Sequence, residues 1–513
     1  MQRSRLTSPT DLLWTWQEWS VSFSVCASSF PESHRELAYI FSDHLPTPPS
    51  AAWPSTQVSA PLPSRERTFD DISGFKHVFI EDLFDASQNA QVDLLCWLKA
   101  RPRHHGRLVF ADLVDSTGSI QAVFQNELIQ RDVKVENLTP ETSLKIFGII
   151  QITSSGKREI QVSHFEVISP AKRYLHPAIR STSTEILSSS NSDHLLNFRH
   201  IYLRNPLLLA LNDFRSLAFW EIRKWFETHR FLDFSAPLIT PSLLYDPTSA
   251  IHLSNAHKKR PLYLSQCAGF YLEAGAHAHE RVYNLGPSFR NESRTNRHLM
   301  EYWHIKAEVC SGSMQDIIEL VEIFLRDIAR ATKARGESVC GLLGTTFPEI
   351  EIPFQRMRYA DAIALLQDHG HGVTFGDNIN KEYERWLTRN NGERPLWITH
   401  KPKSMEPFPY SGDPTDVTLS MTGDLIAPNG FGEICGVAEK SYAMGEMDSR
   451  LQEKDKQDQL DIYGWVRDSR DFGMAPHTAF GMGFERLLRW LCGNAHVKDN
   501  IPFPRIFERE PLP

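Results

Sequence analysis

Hydrophobic positions along this chain change their spacing twice. Up to about residue 66 they show no period, and Pro46, Pro48, Pro49, Pro54, Pro61 and Pro63 preclude a long helix. One short helix would fit around Trp14, Trp16 and Trp19. From 67 to 178, apolar and polar residues alternate over short runs. GRLVFADLVD, GSIQAVF, SLKIFGIIQIT and EIQVSHFEVIS each fit a strand with one buried face, and VDLLCWLKA alternates more loosely. Turn residues separate them at Gly106, at Asp115 to Gly118 and at Ser154 to Lys157. About five short strands with one helical insert predict a small closed β-barrel of the oligonucleotide-binding type. Residues 170–195 are rich in Ser and Thr and read as a linker.

Beyond 196 the spacing becomes helical, and the rest of the chain reads as one large domain of mixed helix and strand. Asp213 to Arg230 places Leu217, Ala218, Ile222, Trp225 and Phe226 on one face of a helix, and Phe231 to Thr240 follows as a strand. Such a unit suits a dimer interface or packing within the domain, and its sequence does not separate the two. Met314 to Ala334 is a second helix, with Ile317, Ile318, Leu320, Val321, Phe324, Leu325 and Ile328 on its buried side. LSMTGDLIAPNGFGEICGVAEK reads as two strands around a Pro-Asn-Gly-Phe-Gly turn. TAFGMGFERLLRWLCG is a glycine-bearing strand end running into an apolar helix.

Between these elements lies Val282 to Val309, two extended runs joined by a polar loop. It carries Arg290, Glu292, Arg294, Arg297 and His298 before Tyr302 and Trp303. A cation-rich loop across a sheet suits a polyanion. Arginine binds phosphate through two parallel hydrogen bonds and keeps its charge. Arg486 adds a third cationic point at a helix start, after Gly481 and Gly483. Asp424 and Glu433 fall on neighbouring predicted strands, and such hard oxygens suit magnesium bridging a nucleotide's phosphates. There is no GxxxxGK[ST] and no Ser-His-Asp or Cys-His signature.

Composition sets bounds on this picture. With 513 residues, 41% of them hydrophobic, the chain can build two or three domains. A net charge of −8 means that any nucleic-acid contact must be local, as around Arg101, Arg103, His104, His105 and Arg107, a cluster that would equally suit a solvated turn. The 7 cysteines are scattered without a CxxC pair, which fits a reducing compartment rather than a disulfide framework or a structural zinc site. No apolar run is long enough to span a bilayer. The basic start MQRSRLTSPT has transit-peptide character that Asp11 and Glu18 interrupt, so a cytoplasmic location is expected, with a mitochondrial one as the alternative.

Together these stretches resemble a known family. RNPLLLALNDFRSLAFWEIRKWFETHRFLDFSAP, FRNESRTNRHLMEYWHIKAE and GMGFERLLRWLCG are similar to the three motifs of class II aminoacyl-tRNA synthetases, within the aspartyl/asparaginyl group. NFRHIYLR, GFGEICG, PHTAFGMGFERL and IPFPR read closer to its asparaginyl branch. The resemblance implies an α+β fold. An irregular extension (1–66) would precede an oligonucleotide-binding barrel that reads the anticodon (67–178), then a catalytic domain on an antiparallel sheet flanked by helices (179–513). It implies a homodimer built around Pro237 that uses ATP, Mg2+, an asparagine-like amino acid and tRNA. By residue, it implies that Arg290 holds the α-phosphate and the substrate carboxylate and that Glu292 binds the adenine edge. Arg297 and His298 would contact the outer phosphates, Tyr302 would stack on adenine, and Arg486 would grip the triphosphate from the other side. Asp424 and Glu433 would bind magnesium, Phe110 would stack an anticodon base and Gln121 would hydrogen-bond one.

The amino-acid pocket departs from the family. Where SQSPQ is usual, the chain has Ser265-Gln266-Cys267-Ala268-Gly269, so that of the residues expected to hold the substrate Gln266 stays and Gly269 replaces a glutamine. Where GEIxGGSxRE is usual, it has GEICGVAEKS, which puts Val437, Ala438 and Lys440 in place of Gly, Ser and Arg. Lysine lacks the bidentate fork, so the change is not conservative. The implied activity is amino-acid adenylation and transfer to tRNA. A ligase repurposed for non-translational amide synthesis and a catalytically silent regulator are the alternatives.

Overall fold

The computed structural model describes residues 76, 78–125, 127–128, 138–172, 177–187, 192–254 and 260–510. The extension with Trp14, Trp16 and Trp19, and most of the expected helical insert in the barrel, lie outside them.

The first domain is a six-stranded barrel: β1 (Gln91–Leu98), β2 (Arg103–His105), β3 (Leu108–Val114), β4 (Ser119–Gln125), β5 (Ser143–Ile152) and β6 (Arg158–Ser169), in the order β1-β5-β6-β4-β3-β2. A β1–β3 pairing, Trp97↔Val114 and Leu98↔Leu113, closes it. Alternation drives this fold. Val92, Leu94, Cys96, Val109, Ala111, Leu113, Ile120, Ala122 and Phe124 point inward and fill the core. Even β1, the loosest pattern in the sequence, alternates between buried and exposed positions.

The expected linker carries two short 3-10 turns, Pro177–Arg180 and Thr184–Leu187. Here the barrel is fastened to the second domain. Glu141 accepts hydrogen bonds from Arg180 at 2.6 and 2.8 Å and from Arg204 at 3.1 Å, and Arg204 lies over the Trp97 ring.

The second domain has an eight-stranded sheet. Its strands are β7 (Leu232–Asp233), β10 (Arg281–Phe289), β11 (Glu301–Cys310), β12 (Gln355–Arg358), β13 (Leu396–Thr399), β14 (Thr422–Ala427), β15 (Gly432–Lys440) and β16 (His477–Gly483), in the order β12-β13-β14-β15-β16-β11-β10-β7. The central pairings are antiparallel, while β7–β10 and β12–β13 at the two edges are parallel. A separate two-stranded sheet joins β8 (Ile239–Thr240) to β9 (Tyr263–Leu264). The strand expected over Phe231–Thr240 is thus two dipeptide strands, β7 and β8.

Helix α1 (Pro206–Thr228) begins earlier than its apolar period indicates, because Asn205 caps it by accepting from the Leu207 and Leu208 amides with proline next in line. After α2 (Gly269–His279), α3 (Met314–Leu343) also outruns its expected end and stops at Gly344, which takes the left-handed conformation. Helices α1, α3 and α8 (Phe484–Cys492) bury one face of the sheet with Phe214, Phe226, Phe324 and Trp490, and Phe226 and Phe324 meet Phe480 of β16. Four further helices, α4 (Tyr359–Asp368), α5 (Lys381–Asn390), α6 (Met444–Glu453) and α7 (Leu460–Asp468), build smaller clusters around the rest of the sheet. A buried ion pair links three of the sequence motifs. Arg215 of α1 meets Glu485 of α8 at 2.6 Å, and the other Glu485 oxygen accepts from the Trp303 amide of β11 at 2.9 Å. Among the described residues, no helix is long and apolar enough to cross a membrane.

Candidate active site

Strands β10 and β11 pair from Arg281↔Val309 to Phe289↔Glu301, so the loop 290–300 projects from the end of a regular ladder. Alternation on β11 sends Trp303, Ile305 and Ala307 into the core. It turns Tyr302, His304 and Lys306 to the opposite face. There they line a cavity of about 480 Å³, together with Arg290, Glu292, Arg297, His298, Asp424, Glu433, Lys440 and Arg486. The fold thus gathers most of the site residues expected from the sequence.

At one end the cavity is a basic cradle. The Arg290 guanidinium stacks over Tyr245 at 3.9 Å, lies 3.4 Å from Glu292 Oε1, and keeps a buried Nε without a hydrogen-bond partner. His298 shares its Nδ1 with Thr295 Oγ1 at 3.0 Å, and its Nε2 lies 3.2 Å from Glu292. Burial, and then the positive charge of Arg486, push the His298 pKa down to about 4, so the ring is neutral near pH 7. Arg297 is held by Glu384 at 2.5 Å. Gly432 faces this pair at φ +79°, and a methyl there would lie 2.5 Å from Arg297 Nη1. Arg486 donates to the main-chain oxygens of Glu433 at 3.0 Å and Arg297 at 3.3 Å. It thereby ties β15 to the loop.

Asp424 and Glu433 also line the wall, and Gly436 opposite Asp424 leaves its carboxylate uncrowded. Two hard oxygen donors on neighbouring strands fit a divalent cation that bridges phosphates. Burial raises the Asp424 pKa to about 7, against the pull of Lys401, which sits 2.7 Å away. Burial also works against ionised Glu433, but Arg486 and then Lys401 hold its carboxyl below the usual range.

At the other end, Lys440 lines the cavity while its ammonium lies 3.6 Å from Glu273 and 3.9 Å from Glu308. His477 is 3.5 Å from Glu308, and Arg470 pairs with Glu273. Glu273, Glu308 and His477 have metal-ligating chemistry, with ligand atoms within 4.8 Å of one another, but Lys440 and Arg470 already neutralise them. Gln266 and Gly269 do not join the lining. The Gln266 amide accepts from the Tyr245 amide at 3.1 Å and donates to Asp246 O and Ser249 Oγ at 3.0 Å, which clamps the 245–249 loop under Arg290. Gly269 is buried behind Lys306, where a methyl would lie 3.4 Å from Nζ.

Sequence reasoning missed His304, Lys306, Tyr245, Lys401, Glu406 and Tyr410, all of which line the cavity. Strand alternation counted from Tyr302 would have found the first two. In the barrel, the inward turn of Val109 and Ala111 leaves Phe110 outward on β3, opposite Arg103 on β2. Gln121 on β4 pairs with Asp112, two residues along from Phe110. Phe110 and Gln121 therefore share one outward face.

Known proteins share this layout. A family model described as tRNA synthetases class II (D, K and N) matches residues 191–506. The chain belongs to the class II tRNA synthetases. An OB-fold nucleic acid binding domain matches residues 94–168 of this synthetase. It is 31% identical over 428 residues to the asparagine–tRNA ligase of Lactobacillus delbrueckii subsp. bulgaricus, a match covering 82% of this chain and 96% of that one. The asparagine–tRNA ligase of Pelotomaculum thermopropionicum is 32% identical over 421 residues, with 80% and 94% covered. Among solved structures, asparaginyl-tRNA synthetase from Pyrococcus horikoshii complexed with asparaginyl-adenylate superposes with a TM-score of 0.76 at 28% identity, covering 84% of this chain and 99% of the other. The Entamoeba histolytica enzyme in complex with asparaginyl-adenylate gives 0.73 at 28% identity, with 83% and 97% covered.

Proposed function

We propose that this synthetase activates asparagine or a similar amino acid with ATP and transfers it to tRNA. The observation that carries this reading is one cavity of about 480 Å³ lined by Arg290 and Arg486 and also by Lys440. A carboxylate oxygen of the amino acid attacks the α-phosphorus, the bond to the β-phosphate breaks, and pyrophosphate leaves. Arg290 binds the attacking carboxylate and the α-phosphate, so charge that develops there meets a fixed cation. Arg486 grips the triphosphate from the far side, and Arg297 and neutral His298 take the outer phosphates. Glu292 binds the adenine edge and Tyr302 stacks on the ring. Asp424 and Glu433 are the residues that would hold magnesium, which when bound supplies positive charge to the phosphate oxygens. A terminal tRNA hydroxyl then attacks the acyl carbon and AMP leaves.

Phe110 and Gln121 on the outer face of the barrel take anticodon bases by stacking and edge hydrogen bonding. Trp220, Leu232, Leu238 and Ile239 are exposed apolar residues on and just after α1, and they support a homodimer. The cysteines among the described residues are free thiols, which supports a cytoplasmic location. ATP–pyrophosphate exchange with each proteinogenic amino acid in turn tests the reading. Exchange is expected with a four-carbon amino acid and is expected to vanish in Arg486→Ala. Lack of exchange with every amino acid would overturn the proposal.

A further inference from the structure

The charges on the cavity wall are paired with one exception. Glu292 and Glu384 pair with Arg290 and Arg297, and Glu433 pairs with Arg486. Glu485 pairs with Arg215, and Asp424 and Glu406 share Lys401. Lys440 has its own counterions in Glu273 and Glu308. Among the described residues, Lys306 alone of the lining arginines and lysines forms no ion pair. It is 5% exposed, near the middle of β11, with Asn284 beside it on β10 and Gly481 on β16. A methyl at Gly481 would lie 3.3 Å from Lys306 Cε, and one at Gly269 would lie 3.4 Å from Nζ. The two glycines make room for this side chain. Burial works against the charged form, but Cys267, then Tyr245 and Glu308, hold the Lys306 pKa above the usual lysine value, so the side chain stays a cation with no carboxylate at ion-pair distance and can receive an anionic ligand.

Its position says which ligand. Strand rise puts Lys306 roughly 13 Å along β11 from Tyr302, away from the phosphate cradle and toward the amino-acid end. The cavity wall also includes Ala438, Ala479, Tyr245, Tyr410 and Lys440, with Gly481 directly against Lys306 Cε. Lysine ammonium groups donate hydrogen bonds and accept none. A carboxamide brings an NH2 group that needs acceptors, and the Lys306 ammonium offers none. A carboxylate brings acceptors alone. Glu406, with one oxygen committed to Lys401 at 2.6 Å, is the lining carboxylate suited to the α-ammonium that every amino acid carries.

We infer that Lys306 is the specificity-determining residue of the amino-acid pocket, and that this synthetase takes an amino acid whose side chain ends in a carboxylate in preference to the corresponding amide. The assignment rests on the amino-acid-activating function proposed above. It is tested on the full chain by ATP–pyrophosphate exchange with aspartate, asparagine, glutamate and glutamine. One of the acids is expected to exceed its amide in kcat/KM by about 10- to 100-fold, the range for a hydrogen-bonded charge that finds or loses its partner. Lys306→Gln is expected to collapse that ratio by lowering the acid's kcat/KM, with the KM for ATP unchanged. Calorimetric binding of the non-reactive sulfamoyl analogues of aspartyl- and asparaginyl-adenylate to the wild-type chain gives the same comparison without turnover, and stands even where the variant does not fold. Exchange that favours the amide, tighter binding of the asparaginyl analogue, or a ratio unmoved by Lys306→Gln would overturn the inference and leave amino-acid activation standing. Absence of exchange with any amino acid, and of binding to either analogue, would instead overturn the proposed function and the inference together.

Discussion

Gly432 offers a direct test of how the phosphate cradle is held. It opens β15 at φ +79°, and a methyl there would lie 2.5 Å from Arg297 Nη1 and 2.7 Å from Glu384 Oε2. Both atoms are the ends of side chains, so in Gly432→Ala the backbone can stay and the Arg297–Glu384 pair must part. The substitution carries two costs. Holding an L-residue in the left-handed region costs about 1–2 kcal/mol. Losing a short charge-assisted hydrogen bond between partners that are 16% and 6% exposed costs about 1.5–3 kcal/mol more. The expected loss is therefore about 2.5–5 kcal/mol of stability of the synthetase domain, read from the midpoint of its urea transition by tryptophan fluorescence. With Arg297 taking the outer phosphates as proposed, its release is expected to raise the KM for ATP about tenfold, the effect of about 1.4 kcal/mol. Glu384→Gln separates the two costs, because it frees Arg297 without straining the backbone. A Gly432→Ala chain with its urea midpoint and its KM for ATP both unchanged would refute the reasoning, since the pair would then have found room for the methyl.

Three further predictions concern other parts of the molecule. Phe110→Ala removes an outward stacking surface worth about 1–3 kcal/mol per base, so tRNA affinity in a gel-shift assay is expected to fall while pyrophosphate exchange stays the same. Lys440→Met leaves Glu273 and Glu308 short of a buried cation and is expected to cost about 3–5 kcal/mol in denaturant unfolding. The third concerns His496, whose Nδ1 accepts from the Lys498 amide and so must stay unprotonated. Burial, reinforced by Lys498 and Arg489, pushes its pKa from 6.5 down to about 3. The unfolded chain therefore takes up this proton first as pH falls. The contribution of His496 to stability is full above 6.5 and is lost as pH falls from 6.5 toward 3. Urea midpoints are expected to drop between pH 7 and pH 5, and His496→Asn, which keeps an acceptor, is expected to flatten that drop.

The parts of this molecule legible in its sequence are those in which local pattern and final environment agree. The barrel strands alternate because one face is core, and Asn205-Pro206 carries a helix start in its chemistry even though the apolar period becomes clear only later. Arg290, Arg297, His298 and Arg486 stood out because their residue types point to phosphate. The inner half of the cavity was harder to read. Lys306 lies in a strand otherwise taken for structural, and its significance comes from what is missing around it, which only packing reveals. Lys401, Glu406 and Tyr410 come from a segment without a period. Its strands β12 and β13 are four residues long and pair in parallel, and β13 is buried throughout. Gln266 teaches the opposite lesson. It matches the family's motif, yet its amide is spent on three bonds within the protein, two to main-chain atoms and one to a side chain.

The joint at Glu141 constrains how the two domains can be studied apart. Arg180 and Arg204 both lean on this one carboxylate, and Trp97 of the barrel roofs Arg204. A truncation that discards the barrel would strip two arginines of their counterion and leave a fresh basic patch at the start of the catalytic half. Such a fragment would gain an attraction for tRNA phosphates that the whole enzyme lacks at that spot. Tight binding by the fragment would then report the wound rather than the native docking surface, so the barrel's share in tRNA selection is better dissected by single substitutions on its outer face.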